Sequence, residues 1–230
     1  MAYYNELGMA YRLNHQNQQA IDTFIKLLVI KPDDIKAHNE LGITYREAGK
    51  NQQAIDTFLK AIDVDPKHLP SYNELGITYR EAGKNQQAID IFLKAEQIEP
   101  TNVRILNELG ITYREAGKNQ QAIDTFLKAI DVDPKQLPSY NELGITYREA
   151  GLFSEAINIC HKALNIDPKQ TRTILNLLQI FIFFQPDQQK AVECYEKIDR
   201  PPYHSSFKKN RKSYKICNYS GPKLAIKESV

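Results

Sequence analysis

The sequence repeats itself every 34 residues, and that period decides what the chain can fold into. Leu7, Leu41, Leu75, Leu109 and Leu143 fall in one column, each followed at once by a glycine, Gly8, Gly42, Gly76, Gly110 and Gly144. The stretch from Asn39 to Gly83 recurs as Asn107 to Gly151 with a single difference, His68 against Gln136. A fixed period of this length marks an array in which each unit contacts only its neighbours and no single core forms. A lone unit cannot fold. Ordering its residues costs about 50 kcal/mol at roughly 1.5 each, which demands about 2,000 Å² of apolar burial. Stacking on neighbouring units must supply what one unit lacks.

Each unit reads as two helices. In Asn39 to Ala48, Leu41, Gly42 and Tyr45 sit at helical spacing, and Gly49 supplies a stop. Asn51 is the expected N-cap of a second helix, in which Ala54, Ile55, Phe58, Ala61 and Ile62 form an apolar stripe. On its outer face Asp56 and Lys60, like Asp22 and Lys26, Asp90 and Lys94, and Asp124 and Lys128, are spaced for ion pairs four residues apart. Pro66 ends the second helix. The glycine after each column leucine predicts a close approach of the two helices, because a side chain there would hold them apart.

Composition excludes several classes. No apolar run reaches the roughly 18 to 20 residues a membrane-spanning helix needs, and the densest, Ile174 to Phe184, is broken by Asn176 and Gln179. The first residues already belong to the first repeat, so no signal peptide is expected and the chain is expected to stay in the cytoplasm. Cys160, Cys194 and Cys217 are odd in number and lack CxxC spacing, which suggests neither a disulfide framework nor a metal site. His15, His38, His68, His161 and His204 fall in unrelated columns with no nucleophile or carboxylate at useful spacing. No glycine-rich phosphate loop is present. The sequence predicts no catalysis, no cofactor and no metal.

These columns resemble the tetratricopeptide repeat family. The third unit carries Tyr72, Leu75, Gly76, Tyr79, Gly83, Ala88, Phe92, Ala95 and Pro100, which matches the family pattern at every one of its columns. The first unit departs at His15 and Leu27, and the fifth places Cys160 in the aromatic column. The resemblance implies an all-α fold, a right-handed α-solenoid of stacked antiparallel helix hairpins, the TPR superhelix. Five units are expected at residues 1–34, 35–68, 69–102, 103–136 and 137–170. A degenerate sixth follows at 171–200, with Ile174, Leu177 and Phe181 on its first helix and Ala191, Tyr195 and Ile198 on its second. From Pro201 the period is lost, and residues 201–230, holding seven Lys or Arg against Glu228 alone, read as a basic, flexible tail.

In the family the first helix of each unit lines a concave face through repeat positions 2, 5, 9, 12 and 13. Here those positions place Asn39, Asn73, Asn107 and Asn141 in one row, Ile43, Ile77, Ile111 and Ile145 in a second, and Arg46, Arg80, Arg114 and Arg148 in a third. An amide both donates and accepts, so an asparagine row suits an extended peptide, and guanidiniums favour acidic ligand groups. The resemblance therefore implies a non-catalytic scaffold that holds an extended peptide or a partner helix, with an acidic ligand as one option. Two readings compete at the same residues: the arginines pair with glutamates of adjacent units, and the asparagines are simply solvated. The family's carboxylate clamp is not matched, since position 9 is Ile and position 6 is Glu6, Glu40, Glu74, Glu108 and Glu142. Those glutamates also depart from the asparagine ladder of the O-GlcNAc transferase repeats.

Two alternatives follow from the rest of the chain. The array can be the targeting arm of a larger machine, such as a glycosyltransferase or a secretion assembly. The cluster Lys208, Lys209, Arg211, Lys212 and Lys215, with Phe207, Tyr214 and Tyr219 beside it, raises nucleic-acid binding as the weaker option to a solvated tail. The apolar run Ile180 to Phe184 needs a cover, and self-association through it is expected.

Overall fold

The computed structural model describes residues 2–197. The chain forms two compact units, divided between Pro168 and Lys169. The first unit holds five helix hairpins: α1 (Ala2–Leu13) with α2 (Asn17–Ile30), α3 (Ile35–Glu47) with α4 (Asn51–Val64), α5 (Leu69–Glu81) with α6 (Asn85–Ile98), α7 (Val103–Glu115) with α8 (Asn119–Val132), and α9 (Leu137–Glu149) with α10 (Phe153–Ile166). Every element among the described residues is helical, as the period requires.

The stops between the two helices of a hairpin are made as the sequence predicts. Gly49, Gly83, Gly117 and Gly151 adopt φ of 72 to 76°, a region that side chains disfavour. In the first hairpin, which lacks that glycine, His15 takes φ 58°. The starts differ from expectation. Asn51 is the first helical residue and not the cap, and Lys50 precedes it with no side-chain capping bond. Among these five hairpins side-chain capping occurs instead on two first helices, where Asp34 Oδ1 accepts from the Ala37 amide at 3.0 Å and Asn102 Oδ1 from the Ile105 amide at 3.2 Å. The spacing of Asp56 and Lys60 is also used differently: Asp22, Asp56, Asp90 and Asp124 accept from Gln18, Gln52, Gln86 and Gln120 one turn back, at 2.9 to 3.0 Å. An amide close to the helix N-terminus reaches the carboxylate with fewer torsions to freeze than a lysine does.

Within each hairpin the glycine column does the packing work assigned to it. A Cβ at Gly42 or Gly76 would lie 2.5 Å from the ring of Phe58 or Phe92, and one at Gly8 or Gly110 would lie 2.6 Å from Phe24 or Phe126. These four phenylalanines are fully buried, and together with the leucine column they form the spine of the unit. Between hairpins, the side chain at repeat position 4 pins the preceding turn. Tyr72 and Tyr140 donate their hydroxyls to the Pro66 and Pro134 carbonyls at 3.2 and 3.1 Å, and His38 Nε2 takes the same role on the Pro32 carbonyl at 2.7 Å.

The curvature of this unit follows from which helices touch. Consecutive first helices, α1 with α3, α3 with α5, α5 with α7 and α7 with α9, pack on one another. Consecutive second helices lie farther apart, and long side chains reach between them, such as Lys128 Nζ on Glu96 of α6 and Lys118 Nζ on Gln86. A stack crowded on one side and splayed on the other is concave on the crowded side, so α1, α3, α5, α7 and α9 line the inner face. The splay leaves a groove of about 600 Å³ on the outer face between α2 and α4, lined by Ile25, Val29, His38, Tyr45 and Val64 among others.

The second unit contains α11 (Thr171–Gln179), a π-helical turn (Ile180–Phe184) and α12 (Gln188–Glu196), with α11 and α12 packed as a hairpin. Ile174, Leu177, Phe181 and Ala191 are buried as their columns predict. Ile198 and the tail from 201 on, with its lysine and arginine cluster, lie outside the described residues.

Candidate functional site

The inner face is built from three rows, and its electrostatics are set inside the stack. Four of the five arginines at repeat position 12 lie between two glutamates of the following unit. Arg12 reaches Glu40 at 3.0 Å and Glu47 at 2.9 Å, Arg46 reaches Glu74 at 2.7 Å and Glu81 at 3.2 Å, and Arg114 reaches Glu142 at 2.9 Å and Glu149 at 3.3 Å. Arg80 sits 2.8 Å from Glu108 and 3.7 Å from Glu115. Its Nη1 hydrogens point at the Glu108 carbonyl oxygen and the Thr112 hydroxyl, so the carboxylate contact there is ionic and not a formed hydrogen bond. The separations of 28 and 35 in sequence recur because the period is 34. Of the two readings open for the arginines in the sequence, this geometry is the pairing one. Arg148 closes the row, and burial lowers its guanidinium from the ordinary value, partly offset by the charge of neighbouring Glu149.

The asparagine row is also drawn into the stack. Asn73, Asn107 and Asn141 are buried, and Asn39 is half-buried. Ser71 Oγ donates to Asn39 Oδ1 at 3.3 Å, and Ser139 Oγ to Asn107 Oδ1 at 2.8 Å. Where the following unit offers Ala37 or Ile105 at the serine's position, Oδ1 of Asn5 or Asn73 is buried with no hydrogen-bond partner. One rule covers these four pairs: the carbonyl of the asparagine is satisfied when the next unit supplies a hydroxyl. Ser139→Ala is expected to destabilise the array by about 1 to 2 kcal/mol, and Ala37→Ser, which gives Asn5 a donor, to stabilise it by about 1 kcal/mol. Urea titration checks both, and an Ala37→Ser variant no more stable than the parent would break the rule.

The isoleucine row is the part left open. Ile43, Ile77, Ile111 and Ile145 are partly exposed on the inner face, with Met9 ahead of them. Glu47, Glu81, Glu115 and Glu149 follow one helical turn later and are the most exposed charges of the rows, their side chains 40 to 49 % accessible against 14 to 18 % for Arg12, Arg46, Arg80 and Arg114. The inner face thus presents apolar side chains beside carboxylates, with the guanidiniums of Arg12, Arg46, Arg80 and Arg114 engaged by glutamates of the same chain.

Family models for the tetratricopeptide repeat match residues 33–101, 71–135 and 107–171. The chain belongs to the tetratricopeptide repeat family. It matches no curated protein sequence. Among solved structures, this tetratricopeptide repeat chain is similar to MamA, at 26 % identity and a TM-score of 0.64 over 74 % of this chain and 93 % of that one. It is also similar in fold to PilF of Pseudomonas aeruginosa, at 21 % identity and a TM-score of 0.68 over 85 % and 89 % of the two chains. A third, YrrB, described as a TPR protein with an unusual peptide-binding site, aligns at 17 % identity and a TM-score of 0.60 over 75 % and 89 %.

Elsewhere in this tetratricopeptide repeat array the titratable groups read as structure. Burial raises the phenols of Tyr45, Tyr79, Tyr113 and Tyr147, and nearby carboxylates, led respectively by Asp22, Asp56, Glu96 and Glu155, add to it. Burial likewise pushes the Cys194 thiol up. Among the described residues no three His, Cys, Asp or Glu side chains are grouped to hold a metal ion, and no helix is long and apolar enough to cross a membrane. The turn expected to support self-association buries Ile180 and Phe181 and leaves Phe183 and Phe184 about half exposed. The position-6 glutamates and the Ser71 and Ser139 column were not singled out from sequence as parts of the site; their spacing from the arginines and asparagines was the available signal.

Proposed function

We propose that the protein is a non-catalytic interaction scaffold whose concave face binds an extended peptide or a helix of a protein partner. The observation that carries this reading is the row of partly exposed isoleucines, Ile43, Ile77, Ile111 and Ile145, on the inner face of a tetratricopeptide stack. Such a row is apolar surface held open by the curvature. The asparagine and arginine rows frame it and fix its register. The peptide-binding site named for YrrB is consistent with this use of the fold. The acidic ligand expected from the arginine row finds less support, because the guanidiniums already face carboxylates of their own chain. A cytoplasmic setting belongs to the same proposal, and a role as the arm of a larger assembly is the alternative to it.

The test is capture of partners by the full chain against an Ile77→Glu, Ile111→Glu variant of equal helicity. The double variant is expected to retain about a tenth or less of the captured protein, since two apolar contacts are replaced by charges. An unchanged set of partners, captured equally, would move the site off the groove.

A further inference from the structure

We propose that the groove takes an extended peptide with a three-residue period, in which a cationic side chain is followed by an apolar one, held in the polyproline II conformation. The inference rests on the reading of the inner face as the ligand surface.

Charge comes first. Arg12, Arg46, Arg80 and Arg114 are largely covered, and each lies against two glutamates. An anionic ligand reaching them must displace carboxylates whose effective concentration is set by the fold. The outer glutamates, Glu47, Glu81, Glu115 and Glu149, keep 40 to 49 % of their side-chain accessibility beside their arginines, which leaves carboxylate surface for a second cation. At repeat position 2 Lys36 and Arg104 add two exposed cations, against the four accessible carboxylates of Glu47, Glu81, Glu115 and Glu149, so the charge that a ligand meets is negative on balance.

Spacing comes second. Ile43 and Glu47, Ile77 and Glu81, Ile111 and Glu115, and Ile145 and Glu149 are each one turn apart on a helix, so every unit shows an apolar point and an acidic point about 5 to 6 Å from each other. Packed helices bring such doublets round again about every 8 to 10 Å. A polyproline II chain returns the same edge after three residues and about 9 Å, whereas a β-strand returns the same face after two residues and about 7 Å. The first stays in phase with the doublets, and the second falls behind at every unit. One edge of such a ligand then lies on the isoleucines, the next edge on the glutamates, and the third faces water.

Three labelled peptides measure this by fluorescence anisotropy with the full chain across a salt series: five copies of Lys-Leu-Pro, five copies of Glu-Leu-Pro, and a peptide of the first composition with Lys and Leu alternating and the prolines gathered at one end. The first is expected to bind about tenfold more tightly than either of the others, and to weaken as salt rises. Joint Glu47→Gln, Glu81→Gln, Glu115→Gln and Glu149→Gln substitution is expected to remove most of that advantage at unchanged helicity. Tighter binding of the Glu-Leu-Pro peptide, or equal binding of the alternating one, would overturn the proposal. The groove reading would survive either result if Ile77→Glu with Ile111→Glu abolished the binding seen. Binding of the first peptide that ignores those isoleucine substitutions would overturn both.

Discussion

Gly76→Ala is expected to destabilise the array by about 2 kcal/mol, and Gly76→Val by about 3 kcal/mol, although in a helix interior alanine ordinarily gains up to about 1 kcal/mol over glycine. The reason is the position of Phe92. A Cβ at residue 76 would lie 2.5 Å from the ring Cζ and 2.7 Å from both Cε atoms, closer than any carbon pair tolerates. Phe92 is fully buried, so its ring cannot swing into solvent, and the whole of α6 must shift away from α5. Because consecutive hairpins share faces, that shift is passed to α7. Phe92→Leu removes the ring edge and is expected to rescue the alanine. The double-mutant cycle should give a coupling of about 1 to 2 kcal/mol. Gly83→Ala supplies the contrast. Nothing lies within 4 Å of a Cβ there, and its cost, about 1 kcal/mol, comes from φ of +72°. Phe92→Leu should leave that cost untouched. Urea midpoints for the six variants, single and double, test the set, and a Gly76→Ala protein as stable as its parent would mean that the hairpin is softer than its packing implies.

The contrast between those two glycines also shows what the sequence can and cannot carry. Both were legible as structural positions, because a column of glycine beside leucine and a column of glycine at a helix end each have one physical use. The hairpins, their lengths and the burial of the phenylalanine column follow from a period of 34 and a stripe at steps of three and four. The columns of the inner face were legible as well, since residues 5, 9, 12 and 13 of a unit share one side of a helix. What the columns leave undecided is where each polar side chain finds its partner. Arg46 can turn toward a ligand or toward Glu74, and only the distance between neighbouring helices decides, at 2.7 Å, in favour of the glutamate. Asp56 has Gln52 behind it and Lys60 ahead at the same spacing, and it takes the amide. Asn39 and Asn73 are followed by the same residues along their helices, yet one is satisfied and the other is not, because the deciding residue, Ser71 or Ile105, lies in the next unit. Near-identity of the units hides such differences, and they set the chemistry of the groove.

Arg80→Ala is expected to cost about 2 kcal/mol, and the loss should appear as stack stability before it appears as lost binding. Removing the guanidinium takes the cation from Glu108, whose Oε2 is buried and has no hydrogen bond of its own, and it also removes a donor from the Thr112 hydroxyl and the Glu108 carbonyl. Breaking one side of a fully buried pair typically costs about 3 to 5 kcal/mol, and the estimate is reduced here because the Glu108 side chain keeps 21 % of its accessibility. The double variant Arg80→Met, Glu108→Leu should recover at least half of the loss, since it removes the stranded charge and restores apolar contact between α5 and α7. If Arg80→Ala were neutral, the row would be solvated and its guanidiniums available to a ligand after all. If it behaves as expected, a joint Arg80→Ala, Arg114→Ala and Arg148→Ala variant cannot report on ligand capture alone, because it loosens successive steps of the stack. Ligand recognition is then separable from folding only at the accessible rows, and because Ile77 and Ile111 also pack against the core, their variants must be matched in stability and helicity before capture is compared.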